Sequence, residues 1–403
     1  MVVIMNSTDE SRLYESAASK TSEQALQQRY HYLDSLRALA MIAGVLFHAA
    51  LAYSSMLHGL WLSADSQQSE VVDVVGFFTH LFRMPLFFLI AGFFAAYLVA
   101  TRGMKGFITN RVKRVLMPLI IFLPLCLWAV VAAMLNAANT VENKSPVLAM
   151  VARALANPAD APPPPPPSTM HMWFLYVLVF LYVLTWAFSY LDWSGLRKKF
   201  IQIKPLVFLL GFPLLLMPGL LLVGSPLPAP DSFLPQLWAF GFFGLFFAVG
   251  YWMFKNDNLI EKFSCDWWWM LIGSVLLYVL YYQLIPKQIV FPVPSIEIHL
   301  KIVLKLCEAY IAVWMTLVCL VLGKRYLNRA NRSMRFMADS SYWIYIIHVP
   351  LLFAIQYQLM DLNWGWLTKF AVSVIATLVI GVLSYTLLVR WTPIGWMLNG
   401  RRK

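Results

Sequence analysis

Residues 71–98 read VVDVVGFFTHLFRMPLFFLIAGFFAAYL, and this stretch decides the fold class. Past Arg83 it becomes a continuous apolar run, and runs of about 20 such residues recur from Leu33 to the C-terminus, each long enough to cross roughly 30 Å of hydrocarbon. Backbone polar groups cannot stay unpaired in lipid. The runs are too long and too continuously apolar for barrel strands, so each is read as a helix. Of 403 residues, 60% are hydrophobic and only 12% charged, about half the charge expected of a soluble domain. The expectation is an all-α integral membrane protein of about ten transmembrane helices. They are placed near 33–54, 74–98, 115–136, 171–190, 205–224, 235–254, 267–285, 300–323, 338–358 and 366–389.

The net charge of +12 would suit nucleic acid if it were gathered in one soluble patch, but it is spread over the connections. With the N-terminus cytosolic, 23 Lys and Arg fall on the cytosolic side and six on the opposite side and its helix ends. The six are Lys144, Arg153, Lys287, Lys301, Lys305 and Lys369, and Arg37 and Arg83 lie inside helices. This is the positive-inside pattern, which predicts both termini cytosolic and an even number of helices. The charge orients the chain in a lipid bilayer, and no nucleic acid is expected as a partner.

Residues 1–29 are polar and mixed, with no charged n-region, short apolar core or small-residue cleavage site. They are read as a disordered cytosolic tail rather than a signal peptide. One membrane domain follows over 30–397, and 398–403 form a basic cytosolic tail. The long connection 137–170 lies outside and contains Pro162–Pro167, which in polyproline II form would be a stiff strut of about 19 Å. Cys126, Cys265, Cys307 and Cys319 stand alone, without metal-ligand spacing or a disulfide framework, and are read as packing residues. No metal is expected.

The first helix, YLDSLRALAMIAGVLFHAALAYSS (32–55), carries the chemistry. Arg37 and His48 are separated by about 1100° of helix rotation, about 20° past three full turns, so they share one face about 16 Å apart in rise. Asp34 can pair with Arg37 and reduce the cost of a guanidinium near hydrocarbon. Ala40, Ala43 and Gly44 allow close helix approach. An intramembrane His can also simply bond a neighbouring helix, but Arg37 on the same face favours function. Arg83 lies roughly 13 Å into the second helix, at a depth comparable with His48. Unneutralised, it would cost at least about 2.5 kcal/mol, so a water-filled pocket or a partner such as Asp73 is expected. Pro85 frees a backbone carbonyl that the contents of a cavity could use.

In TRGMKGFITNRVKRVLMPL (101–119), Arg111 and Arg114 share a face at i, i+3, with Lys105 and Lys113 nearby. Such a pair suits a phosphate-rich ligand, although basic residues at a cytosolic helix end also serve topology and lipid headgroups. His171 and Trp173 open the fourth helix within HMWFLYVLV, and DSSYWIYIIHVPLLF (339–353) places Tyr342, Tyr345 and His348 at depth. Functional and structural readings of His171 and His348 stand equal on the residues alone.

Taken together, Arg37-x10-His48 within LDSLRA…FHA, FFLIAGFF after Arg83, Arg111-x-x-Arg114 and SYWIYIIHVP resemble the acyltransferase 3 family of bacterial membrane O-acyltransferases. The resemblance spans most of the membrane core; the proline-rich loop is a departure on the acceptor side. It implies transfer of a succinyl or acetyl group from cytosolic acyl-CoA (succinyl-CoA or acetyl-CoA) to a hydroxyl of an extracytoplasmic glycan, a periplasmic glucan first among these. The inner membrane of a bacterium would be its place. It implies a catalytic His48, with Arg37 positioning the donor and Arg111 and Arg114 holding the phosphates of coenzyme A. Arg83 is assigned to the oxyanion or to a donor carboxylate, and Asp34, His171, Trp173, Tyr345 and His348 to substrate contacts. Two other readings remain open: a transporter or flippase with a path through His48, Arg83 and His348, and a silent scaffold docked through the proline strut. No oligomeric state follows from the sequence.

Overall fold

The computed structural model describes residues 30–400 except 162, 164, 165, 255, 257, 290–295 and 330. The expected tail 1–29, three residues of the proline strut and the last three residues of the basic C-terminal tail lie outside the described residues. Among the described residues every regular element is helical, and the only strand-like feature is an isolated antiparallel bridge between Ser168 and Ser232. The helices are α1 His31–Ala50, α2 Glu70–Arg111, α3 Met117–Thr140, α4 Pro146–Ala156, α5 Trp173–Phe188, α6 Ser194–Gln202 and α7 Pro205–Leu220. They continue as α8 Leu237–Met253, α9 Asn258–Glu261, α10 Trp267–Leu284, α11 Ile298–Tyr326, α12 Arg332–Leu359, α13 Trp366–Ser384 and α14 Pro393–Asn399.

Among the described residues, seven helical segments are by length and composition long and apolar enough to cross a membrane. One of these, Glu70–Thr140, covers two of the expected windows, and α7 and α8 are apolar but shorter, at 16 and 17 residues. Each expected window therefore falls on a helix. Large side chains on the outside are apolar, among them Leu215, Trp128 and Leu387. Such a surface is unstable in water and suits lipid. The chain is a multi-pass membrane protein.

Two local devices place the site. Gly103 breaks α2 with φ 66° and ψ 174°, a conformation that L side chains rarely adopt. It turns the segment bearing Arg111 away from the spanning part, and a π turn at Val112–Leu116 then leads into α3. Elsewhere α2 and α8 meet backbone to backbone: a Cβ on Gly92 would stand 2.0 Å from the Phe247 carbonyl oxygen, and one on Gly250 would stand 1.9 Å from that of Leu89. The glycine expected to serve helix packing in α1, Gly44, does not do so. A Cβ there meets nothing within 4 Å, because Gly44 borders a cavity.

Gly250→Val is therefore expected to destabilise the fold by more than the usual overpacking penalty of about 1–3 kcal/mol, because the obstacle is backbone rather than a movable side chain. Thermal melting in detergent checks this, with Gly59→Ala, which faces open space, as the tolerated control.

Candidate active site

On α1, Arg37 and His48 face two different cavities that meet between them. Arg37, paired with Asp34 at 3.4 Å, borders a cavity of about 400 Å³ that we call the arginine cavity. His48 borders a second one of about 560 Å³, the histidine cavity. Met41, Phe87, Phe174 and Tyr345 line both, forming an apolar waist with a cation on one side and an imidazole on the other. The shared face expected from an 11-residue spacing is present, with Met41 at its middle.

The imidazole is held by α12. Pro350 has no N–H, so the carbonyl of Ile346, four residues earlier, loses its helical donor. That carbonyl instead accepts from His171 Nε2 at 3.0 Å and from Cys126 Sγ at 3.3 Å. The Tyr345 hydroxyl donates to the His171 carbonyl at 2.8 Å, clamping the entry of α5 to α12. His348 stands between two rings, 5.0 Å from those of His48 and His171 by centroid. Its Nδ1 is 2.7 Å from the Tyr345 carbonyl oxygen and its Nε2 is 3.1 Å from His48 Nδ1. His48 Nδ1 is also 3.0 Å from the Gly44 carbonyl oxygen. The freed carbonyl that matters here comes from Pro350 rather than from Pro85.

Arg83 reaches the histidine cavity from α2 and is 5% exposed. Its guanidinium carbon lies 4.4 Å above the Phe47 ring and Nη1 donates to the Ala43 carbonyl at 3.4 Å. Asp73, the partner considered for it, is engaged elsewhere: its carboxylate accepts from the hydroxyls of Ser54 and Ser55 and the N–H groups of Ser55 and Met56. Among the described residues Arg83 has no carboxylate partner, whereas the buried Lys305 and Lys369 sit 2.7 Å from Glu308 and Asp65. Those two lysines, expected on the outer side and its helix ends, lie on α11 and α13 and are buried in ion pairs.

The arginine cavity gathers Arg37, Arg102, Arg111 and Arg114. Arg111 donates to the Tyr182 hydroxyl at 3.4 Å and lies over that ring. Arg114 donates to the Asn399 carbonyl at 3.0 Å, tying α14 to the site. Lys105 and Lys113 do not line it. Trp173 is buried against Phe88 and Phe243 at the wall of the histidine cavity.

A family profile described as an acyltransferase domain matches residues 30–386. The chain belongs to the acyltransferase 3 family. Among curated proteins it is similar to glucans biosynthesis protein C of Escherichia coli strain K12, with 26% identity over 385 residues, 93% of this chain and 95% of the relative. The protein of the same name from Escherichia coli O157:H7 matches with the same identity and coverage. No solved structure matches the chain.

The candidate site of this membrane acyltransferase also gathers residues that the sequence does not single out. His80 stacks on Phe47 at 5.0 Å and donates through Nε2 to the Leu227 carbonyl at 3.0 Å. Its i, i+3 spacing to Arg83 on α2 was the available signal. Arg102 precedes the Gly103 break, and nothing local announces that it turns toward the cavity. Leu227 itself belongs to a loop held by a buried network. Lys305 Nζ donates to the Gly224 carbonyl at 2.6 Å, and Glu308 Oε1 accepts from the hydroxyls of Ser225 at 2.8 Å and Tyr281 at 3.0 Å. Lys305→Met leaves the Glu308 carboxylate buried without its cation, so the acyltransferase is expected to lose about 3–5 kcal/mol of stability. The double variant Lys305→Met/Glu308→Leu should recover most of it, as read by thermal unfolding.

Proposed function

We propose that this acyltransferase moves an acyl group from cytosolic acyl-CoA, across the membrane plane, to a hydroxyl of an extracytoplasmic glycan, a periplasmic glucan. In this reading the 30–397 domain crosses the bacterial inner membrane ten times with both termini cytosolic. The observation that carries it is the pair of cavities sharing Met41, Phe87, Phe174 and Tyr345, with four arginines on one side and His48 on the other. A thioester at the end of a flexible arm can pass the waist while its phosphates stay with Arg37, Arg111 and Arg114, whose guanidiniums suit bidentate contact with phosphate. Asp34 keeps Arg37 in place at the mouth. The likeness to a protein named for glucan biosynthesis supports the acceptor class.

The glycan enters the histidine cavity along the wall that Trp173, His171 and Tyr345 contribute. His48 acts as general base. The hydroxyl oxygen attacks the thioester carbonyl carbon, its proton passes to His48, the new C–O bond forms and the C–S bond breaks. The proton then goes to the departing coenzyme A thiolate, leaving an ester and a free thiol. Arg83, a buried cation with no carboxylate partner among the described residues, favours a dicarboxylic acyl group such as succinyl over acetyl, with the free carboxylate paired to it. The meeting cavities would also suit the path of a transporter or flippase, in which case substrate would move unmodified.

His48→Ala is expected to leave a folded, inserted protein whose transfer rate falls on the order of 10²-fold or more. Mass spectrometry of surface and periplasmic glycans from cells carrying either form reads the result and identifies the acyl group. Unchanged acylation by the variant removes His48 from the chemistry. Arg83→Gln should depress succinyl transfer at least about tenfold more than acetyl transfer, since loss of one charge-assisted bond is worth about 1.5–3 kcal/mol. Equal depression of both would assign Arg83 to the oxyanion instead.

A further inference from the structure

We propose that His348 is a positioning residue that holds His48 in the tautomer protonated on Nδ1, so that His48 Nε2 is the nitrogen offered to the acceptor hydroxyl. The proposal rests on the general-base reading of His48 and goes beyond it by assigning the base to one atom and its control to another side chain. A carbonyl oxygen can only accept, so the 2.7 Å contact between His348 Nδ1 and the Tyr345 oxygen puts the proton of His348 on Nδ1. The neutral ring then has a lone pair on Nε2, and that lone pair faces His48 Nδ1 at 3.1 Å. Of the two nitrogens only His48 Nδ1 can supply the hydrogen. Its other neighbour, the Gly44 carbonyl oxygen at 3.0 Å, is also an acceptor, so both contacts of His48 Nδ1 require the same tautomer. Among the described residues His48 Nε2 has no hydrogen-bond partner, on a half-buried ring at the cavity wall.

His348 is 1% exposed and acts through His48. Its own orientation is secured by the Tyr345 carbonyl and by the His171 ring, packed edge-on at 5.0 Å and 82°. When His48 takes the hydroxyl proton it becomes an imidazolium, and its Nδ1–H bond to His348 becomes charge-assisted, which strengthens it in the transition state more than in the ground state. The arrangement gives a neutral imidazole the orienting task that a carboxylate performs beside other catalytic histidines.

Two variants separate this from a packing role. In His348→Gln the amide oxygen can occupy the place of ring Nε2 and still accept from His48. In His348→Asn the shorter amide can occupy the place of ring Nδ1, keep the contact with Tyr345 and leave His48 Nδ1 without its acceptor. Steady-state transfer by purified protein in vesicles, with melting temperature measured alongside, is expected to show His348→Gln within about threefold of the unaltered protein. His348→Asn should lower kcat on the order of 10-fold to 100-fold with KM for the donor unchanged. Any other pattern overturns the proposal, including equal loss in both variants or Asn no worse than Gln. Full activity in His48→Ala would sink the general-base reading itself, an outcome distinct from these.

Discussion

A hydrocarbon interior leaves no water to satisfy polar groups, so every donor and acceptor at depth has to be matched within the protein or set against a cavity. The site follows from that constraint. Pro350 deprives the Ile346 carbonyl of its helical partner, and the His171 ring takes the vacancy. The Tyr345 hydroxyl then fastens the start of α5, and the His348 ring is fixed by the carbonyl of the same tyrosine. His48, from the other end of the chain, completes the series. Around a single missing N–H, α12, α1 and the turn ahead of α5 contribute to one polar cluster beside a cavity.

The remaining buried charges are handled in two ways. Lys305 and Lys369 are each matched to a carboxylate and serve the frame: one holds the loop whose Leu227 carbonyl receives His80, and the other holds Asp65 in the connection between α1 and α2. Among the described residues Arg83 is matched to a ring face and a carbonyl at 3.4 Å but to no carboxylate, and it borders open space. A cation so placed is costly unless something else enters to meet it, which is the physical ground for the proposed pairing with substrate.

Much of this was legible in the chain. Continuous apolar runs of this length implied helices because the other backbone arrangement that tolerates lipid, a closed barrel, needs shorter, alternating strands, and the helices lie where those runs lie. The 11-residue spacing on α1 put Arg37 and His48 on one face, and the i, i+3 spacing put Asp34 beside Arg37. Contacts that depend on distant segments were not legible. Gly44 looked like a packing glycine but borders a cavity; the glycines that do allow backbone contact, Gly92 and Gly250, lie on α2 and α8. Asp73 looked like a counter-ion for Arg83 but caps the turn after α1 instead. The union of His48 with His348 spans 300 residues of sequence, and no local pattern encodes it.

The proposed chemistry brings a thioester held by arginines on one side to an imidazole that meets its acceptor from the other. Vesicles of purified protein in one orientation, loaded with isotopically labelled acyl-CoA inside and supplied with glucan only outside, test it directly. Labelled ester on the external glucan, free coenzyme A in the lumen in equal amount, and no labelled acyl-CoA outside are expected. Transfer only when donor and acceptor share a compartment, or export of intact donor without ester formation, would contradict it.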